Sequence, residues 1–305
     1  MRKFLKKTSL FLLLLFVLSA CGFYMTMEIV PPNENHYLYA HHNKMARLDT
    51  LSSPRIIFVG GSNLAFGLNS KRIADSLHIN IQNTALHAAV GLRFMVDEVI
   101  RRSRNGDIIV IMPEYPQFTS STYYGNDNGT LTGVVNYSDH GAWQMLNIRQ
   151  MYNVFGGFMT HLRGKLDRRV MESWAYYARN FNEWGDEAAH WTVPSPGIGS
   201  NQLSPVAEID DSVVRDFVGK LDTLKARGCR VLLYWPITIK SNYLKNQVAI
   251  EQIEKALASR NTAFDCAPDY FVQPDSLAFD TPYHMSGPAV EDDTDRMLAL
   301  LNHTI

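Results

Sequence analysis

The chain has 305 residues, of which 46% are hydrophobic and 19% are charged, and its formal net charge is −1 at pH 7. That length suits one large domain behind an N-terminal targeting segment, and the composition is that of an ordinary globular protein. A near-zero charge that is mixed along the chain excludes nucleic acid as a partner, because binding phosphates requires a basic field. The three cysteines, Cys21, Cys229 and Cys266, are too few for a disulfide framework.

The first thirty residues are predicted to be a signal peptide or membrane anchor. A cluster of basic residues opens the chain: Arg2, Lys3, Lys6 and Lys7. An apolar run over 10–18 leads into Leu18-Ser19-Ala20-Cys21, which resembles the lipobox of bacterial lipoproteins, where the cysteine is lipidated and becomes the new N-terminus. Apolar character continues over 10–30, which is also long enough for an uncleaved transmembrane anchor. Both alternatives place the rest of the chain outside the cytoplasm, held at the cell envelope, and the first makes Cys21 the lipidation site.

Residues 31–53 are predicted to be a polar tether. His36, His41 and His42 lie in it and could bind a metal ion, but no Cys, Asp or Glu stands beside them at ligand spacing. We therefore expect exposed histidines in a linker, with no metal and no other cofactor.

Strands and helices are predicted to alternate from residue 54 to the end of the chain. Continuous apolar runs indicate five buried strands, at about 56–59, 79–83, 108–112, 230–235 and 262–265. Helical stripes between caps indicate helices at about 70–77, 92–104, 211–227, 244–259 and 287–301. This order predicts an α/β fold: a three-layer parallel sheet of about five strands. Cys229 and Cys266 would then lie at opposite ends of their strands, so both are predicted to be free thiols.

An insertion interrupts this alternation at about 119–208, where the periodicity loosens. It is predicted to be partly helical and to cover one face of the domain. Its aromatic residues could stack on sugar rings or simply pack the insertion, and they are Trp143, Tyr152, Phe155, Phe158, Trp174, Tyr176, Tyr177, Trp184 and Trp191.

The candidate chemistry lies at the carboxyl ends of the predicted strands, where open parallel sheets bind ligands. Ser62 follows two glycines directly after the first strand, and such a turn exposes a hydroxyl beside free backbone N–H groups. A serine hydroxyl is a weak nucleophile that needs a base, which His284 can supply while Asp280 orients its ring. Backbone N–H groups at Ser62 and after the second strand could hold an oxyanion.

These residues resemble the SGNH (GDSL-like) hydrolases, and more closely the envelope-anchored acyl-transfer members that modify polysaccharides or teichoic acids. The resemblance covers roughly 55–115 and 231–301. The family's Gly-Asp-Ser block is matched by Gly60-Gly61-Ser62, and its Asp-x-x-His block is widened by one residue to Asp280-x-x-x-His284. Its second block supplies a backbone donor, here from Ala88.

The third block of the family, Gly-x-Asn, is replaced by Met112-Pro113-Glu114-Tyr115. The family's Asn donates to the oxyanion, which an ionised Glu114 cannot do, so Glu114 is protonated, has another task or marks lost activity. Asn63 is an alternative amide donor, and Tyr115 is predicted to line the same cleft.

Two functions remain open on this evidence. The resemblance implies an acyl esterase or O-acyltransferase that acts on an envelope glycan through an acyl-Ser62 intermediate. It also implies that the domain has a flavodoxin-like fold, to which the insertion is added. The alternative is a non-catalytic SGNH-like module that binds glycans or scaffolds their assembly.

Overall fold

A parallel four-stranded sheet forms the centre of the molecule in the computed structural model, which describes residues 1–126, 128–166 and 176–304. Its strands are β1 (Arg55–Gly60), β2 (Asn80–Asn83), β3 (Ile108–Met112) and β4 (Arg230–Leu233), in the order β2-β1-β3-β4. A separate two-stranded parallel sheet pairs β5 (Thr238–Ile239) with β6 (Val272–Gln273). The predicted α/β class with a parallel sheet is confirmed.

The helices surround this sheet and complete the fold. In chain order they are α1 (Arg2–Tyr24), α2 (Ala40–Thr50), α3 (Ser62–Ala65), α4 (Ser70–Leu77), α5 (Leu92–Arg102), α6 (Ser120–Tyr123), α7 (Thr130–Tyr137), α8 (Ala142–Met145), α9 (Ile148–Leu166), α10 (Asp211–Ala226), α11 (Lys240–Lys245), α12 (Gln247–Ala258) and α13 (Gly287–Thr304).

The two central strands are buried on both faces. Every side chain of β1 and β3 is buried, and those over 56–59 have no exposed surface at all. Their sequences are continuous apolar runs without alternation, because neither face of a parallel sheet covered by helices meets water.

The prediction of a fifth strand at 262–265 is wrong. The Asp265 N–H donates to the Leu233 carbonyl at 2.7 Å, as a strand neighbour would, but the Leu233 N–H donates to the Asp265 carboxylate at 2.8 Å. A side chain has therefore taken the place of the backbone acceptor that a ladder requires, and the chain leaves the sheet edge after one backbone bond.

Helix ends largely follow the predicted caps. Asn69 accepts the Arg72 N–H at 3.1 Å where α4 begins, and Asp210 accepts the Ser212 N–H at 2.9 Å where α10 begins. Gly228 follows α10 with a φ of 81°, the left-handed conformation that ends helices. The predicted helix over 244–259 is observed as α12, preceded by the separate short helix α11.

The prediction that residues 31–53 form a tether is wrong for most of that range. Residues 37–39 form a 3-10 turn and 40–50 form α2, with Leu38, His41, Met45 and Leu48 buried against the domain. Lys44 is buried too, and its ammonium donates to the Ala85 carbonyl, which ties α2 to the turn after β2. These residues are therefore part of the domain.

A buried ion pair fixes the amino edge of the sheet. Arg55 of β1 and Asp107, just before β3, are 2.7 Å apart with no exposed side-chain surface. The same guanidinium donates to the carbonyls of Leu48 and Arg102, so it joins β1 to α2 and α5.

The insertion contains α6 to α9 and two 3-10 turns, at 178–180 and 189–192, so the prediction of a partly helical segment is confirmed. Trp174, one of its predicted aromatic residues, lies outside the described residues.

The N-terminal helix stands largely apart from the domain. It runs through α1 and a π-helical turn at Met25–Ile29, and it is long and apolar enough to cross a membrane. Its side chains from Phe4 to Leu18 are mostly exposed, while Thr26 and Met27 are buried. These properties fit a membrane anchor or a signal sequence.

Candidate active site

The carboxyl edge of the sheet gathers the residues that the sequence singled out. Ser62 follows β1, His87 follows β2 and Glu114 follows β3. The segment 280–284 reaches the same edge, where the ring of His284 stacks on that of Phe66 with centroids 3.9 Å apart and an interplanar angle of 8°. His284 is thus connected to the carboxyl end of β1 through Phe66, which lies four residues after Ser62.

Ser62 is the first residue of the short helix α3. Gly61 precedes it in extended backbone, with φ −80° and ψ −157°, and the side chain of Ser62 is close to fully buried. The backbone N–H groups of Ser62 and Asn63 therefore belong to the first turn of a helix, where such groups have no partner within the helix. They are the donors that an oxyanion would need.

Glu114 occupies this position. Its Oε1 accepts the Asn63 N–H at 3.1 Å and the Ser62 hydroxyl at 3.3 Å. The first distance is ordinary, whereas the second exceeds the usual 2.5–3.0 Å range of O–H···O bonds, so the carboxyl holds the backbone group more firmly than the hydroxyl. Glu114 thus stands where a substrate oxyanion would lie.

The ionisation of Glu114 is perturbed by its surroundings. Burial raises the pKa of Glu114 from 4.5 to about 7, against the opposing effect of the hydrogen bonds from Asn63 and Ser62. Only 3% of the residue is exposed. The carboxyl therefore changes charge near neutral pH.

Gly61 makes room for this carboxyl. A Cβ added at Gly61 would lie 2.7 Å from the carboxyl carbon of Glu114. That distance is too short for two carbon atoms, so no larger residue at position 61 is compatible with Glu114 as it stands.

His284 and Asp280 form a buried pair. The Nδ1 of His284 is 2.7 Å from Oδ1 of Asp280, and the residues are 5% and 8% exposed. Burial opposes ionisation of Asp280, but the hydrogen bond and charge of His284 outweigh it and, with a bond from Tyr176, lower the pKa of Asp280 below 3.8. An ionised Asp280 orients the imidazole through Nδ1, which leaves Nε2 as the basic nitrogen.

The chain segments that carry this pair and Ser62 are joined through Tyr283. The Tyr283 hydroxyl accepts the Tyr115 N–H at 3.2 Å; Tyr283 precedes His284 in the sequence, and Tyr115 follows Glu114, whose carboxyl accepts the Ser62 hydroxyl. Among the described residues the Ser62 hydroxyl has its hydrogen bond with Glu114 and none with His284.

The turn after β2 lines the site with His87 and Ala88. The Nδ1 of His87 accepts the Ala89 N–H at 3.1 Å, which leaves the proton of the neutral ring on Nε2. Desolvation by the surrounding protein, and then the charge of nearby His284, lower the pKa of His87 although its side chain is accessible at the surface. In the described part of the chain the Ala88 N–H has no hydrogen-bond partner, as a candidate oxyanion donor requires.

Two predicted cleft residues are placed elsewhere. The side-chain amide of Asn63 is fully buried and donates to the Met112 carbonyl at 3.2 Å, so one of its N–H groups is engaged at the end of β3. Tyr115 has no exposed surface and its ring packs between Trp235 and Tyr283, each with centroids 6.2 Å away, so it belongs to the core.

Tyr176 and Phe66 are site residues that the sequence did not identify. The Tyr176 hydroxyl donates to Oδ2 of Asp280 at 2.7 Å and lies 3.3 Å from Nδ1 of His284, and burial raises its pKa. Tyr176 was one aromatic among many in the insertion, and 104 residues separate it from Asp280, so no local pattern could pair them.

Two cavities lined by described residues lie away from this site. One of about 420 Å³ is at the junction of the N-terminal segment with α2 and α7, and one of about 160 Å³ lies beside α11. Neither is lined by Ser62, His284 or Glu114. Within the described ranges no group of three His, Cys, Asp or Glu side chains could hold a metal ion.

The cysteines are unpaired: Cys21 is exposed on α1, Cys229 is buried and Cys266 is partly buried. The free thiols predicted for Cys229 and Cys266 are confirmed.

Comparison with protein-family models gave no match, and comparison with curated proteins gave no significant similarity.

Proposed function

We propose that this protein is a membrane-anchored serine acyl-transfer enzyme of the SGNH type, an esterase or O-acyltransferase that acts on an envelope glycan. The observation that carries the proposal is the buried Asp280–His284 pair, 2.7 Å apart, at the same sheet edge as a serine that begins a helix. An aspartate that orients a histidine beside a serine is the arrangement that activates a serine nucleophile.

The first half-reaction forms an acyl-serine. Nε2 of His284 takes the proton of Ser62 Oγ as this oxygen attacks the carbonyl carbon of the acyl donor. The carbonyl oxygen becomes an oxyanion, stabilised by the N–H groups of Ser62, Asn63 and Ala88. Collapse of this intermediate breaks the ester bond, and the leaving alcohol takes the proton back from His284.

The second half-reaction releases the acyl group. A hydroxyl of the acceptor gives its proton to His284 and attacks the acyl-Ser62 carbonyl, and the oxygen of Ser62 leaves with that proton. Ser62, Asp280 and His284 are all less than 10% exposed, and exclusion of water protects an acyl-serine from hydrolysis.

Glu114 acts as a plug in this scheme. Its carboxyl holds the Asn63 N–H at 3.1 Å and must leave before an oxyanion can bind there. A protonated carboxyl is a weaker acceptor than a carboxylate and is displaced more readily. Because the pKa of Glu114 is about 7, we expect turnover to fall as pH rises through 7.

The test is labelling of the full chain in detergent with a fluorophosphonate probe, at pH 6 and pH 8. The wild type should label, Ser62→Ala should not, and His284→Ala should label far more slowly. Glu114→Gln should label faster than the wild type at pH 8, because the neutral amide competes less well for the Asn63 N–H. Slower labelling of Glu114→Gln would instead identify Glu114 as a base for Ser62.

The second candidate function is a non-catalytic module that binds an envelope glycan. The occupied oxyanion position and the Ser62–Glu114 hydrogen bond favour it. Absence of labelling in both the wild type and Glu114→Gln at either pH would contradict the enzyme and favour this alternative.

A further inference from the structure

Helix α9 carries a stripe of exposed apolar side chains. Their exposed fractions run from 45% for Phe155 to 86% for Ile148, and the members are Ile148, Met151, Tyr152, Phe155, Met159 and Leu166. At 3.6 residues per turn they share roughly a third of the helix circumference over a length of about 28 Å. Contiguous apolar surface of this kind marks a contact with a membrane or another protein.

The stripe is separate from the face that α9 buries in the domain. Val154 and Gly157 point inward, and the Val154 carbonyl accepts the Thr132 hydroxyl of α7 at 2.9 Å. The helix therefore has one apolar side that completes the core and a second that faces outward.

The charges of α9 have a single sign. Its sequence contains no Asp or Glu, and exposed Arg149 and Arg163 stand on the flank of the stripe. An apolar stripe with basic residues along its flank is the pattern of a helix that lies in the plane of a membrane surface with anionic head groups.

The N-terminal helix reaches the domain at this stripe. The ring of Phe23 lies 5.5 Å from that of Phe155 and 5.8 Å from that of Phe158, measured between centroids. Beyond Phe23 the helix extends away with its leucines exposed. The apolar surfaces of α1 and α9 thus form one continuous patch.

Both forms of the anchor bring lipid to the same place. If the helix spans the bilayer, its membrane-exit end is the end that packs on Phe155. If the chain is cleaved and lipidated at Cys21, only Gly22 separates the lipidated residue from Phe23. In either case acyl chains begin within a few residues of the stripe.

We infer that the stripe of α9 is a second membrane contact, inserted into the surface of the bilayer that holds the N-terminus. It rests on the anchoring part of the proposed function. A second copy of the chain is a poorer occupant, because α9 has only basic charges beside the stripe and offers no acidic residue to pair with Arg149 or Arg163 of another copy. A domain held at two points cannot rotate freely about its anchor, so the contact fixes the height of Ser62 above the bilayer.

The inference is tested with spin labels on the full chain in vesicles of phosphatidylethanolamine and phosphatidylglycerol. Tyr152→Cys places a label on the stripe, and Thr160→Cys places the control on another exposed side of the same helix. The signal of the unsubstituted protein is subtracted to remove labelling of native cysteines. Collisions with oxygen, which concentrates in lipid, are compared with collisions with a water-soluble nickel chelate.

We expect the oxygen-to-nickel collision ratio to be several-fold higher at position 152 than at position 160. Equal ratios would overturn the inference, and so would a label at 152 shielded from both reagents in a protein that sediments as a dimer. Protein that fails to float with the vesicles would overturn the anchoring and the inference together. The serine chemistry is independent of these outcomes, because probe labelling of Ser62 reports on it separately.

Discussion

Replacing Glu114 by Gln tests the carboxyl at the centre of the proposed site without relying on any substrate. The amide has the same shape, and its carbonyl can accept the Asn63 N–H and the Ser62 hydroxyl that bind the carboxyl at 3.1 and 3.3 Å. The substitution therefore removes the charge and keeps the contacts.

The magnitude follows from the raised pKa of Glu114. Below pH 4.5 the folded and unfolded chains both carry the proton, so the cost of the buried charge is absent. Between 4.5 and about 7 the unfolded chain releases the proton while the folded chain keeps it, so stability falls as pH rises. At about 1.4 kcal/mol per pH unit, the cost levels off at about 3 kcal/mol above pH 7.

The assay is urea unfolding of the full chain in a mild detergent, followed by tryptophan fluorescence from pH 4.5 to 8. Glu114→Gln should match the wild type near pH 4.5 and exceed its stability by about 3 kcal/mol at pH 8. Glu251→Gln on the exposed face of α12 reports the same chemical change in water. Parallel pH curves for Glu114→Gln and the wild type would refute a buried carboxyl that ionises near neutrality, and with it the pH-dependent plug.

Three further substitutions test other parts of the structure. Gly61→Ala should destabilise the protein by about 1–3 kcal/mol through overpacking, and adding Glu114→Ala to the same chain should relieve most of that loss. If the two substitutions change the free energy of unfolding in urea additively, positions 61 and 114 are not in contact. Asp107→Ala leaves Arg55 charged and buried and should cost about 3–5 kcal/mol in the same measurement, whereas a cost below about 1 kcal/mol would mean that water reaches the guanidinium. Tyr176→Phe removes one hydrogen bond to Asp280 and should lower kcat about tenfold with little change in KM. An unchanged kcat in an ester assay would show that Tyr176 has no role in catalysis.

The sheet was predictable because its signal is local. The apolar runs of β1 and β3 do not alternate with polar residues, and this is the pattern of parallel strands that are covered on both faces. Because both strands are parallel, the turns that follow them carry Ser62 and Glu114 to the same edge of the sheet. The prediction of a fifth strand failed because Asp265 accepts the Leu233 N–H through its side-chain carboxylate and not through its backbone carbonyl. The sequence over 262–265 does not show which of the two acceptors is used.

The prediction of a tether failed although the sequence contains the spacing of a helix. Leu38, His41, Met45 and Leu48 recur at the spacing of a helix, but three histidines and the two prolines before them gave the segment the composition of a linker. Burial lowers the pKa of His41 to about 3, so this histidine is neutral and behaves as a core residue. Histidine in an apolar stripe is thus compatible with a buried helix when the ring stays uncharged.

The contact between Gly61 and Glu114 gives one explanation for two departures from the SGNH pattern that the sequence showed as separate. A glycine stands where the family's first block has Asp, and a glutamate replaces the Asn of its third block. The carboxyl carbon of Glu114 would lie 2.7 Å from a Cβ at position 61, so an Asp at position 61 and Glu114 as it is placed here exclude each other by volume. Two carboxylates so close would also repel, and one of them would have to stay protonated. Under the proposed SGNH relationship, Gly61 is the residue that the placement of Glu114 requires, because a Cβ at position 61 would displace the carboxyl that accepts the Asn63 N–H.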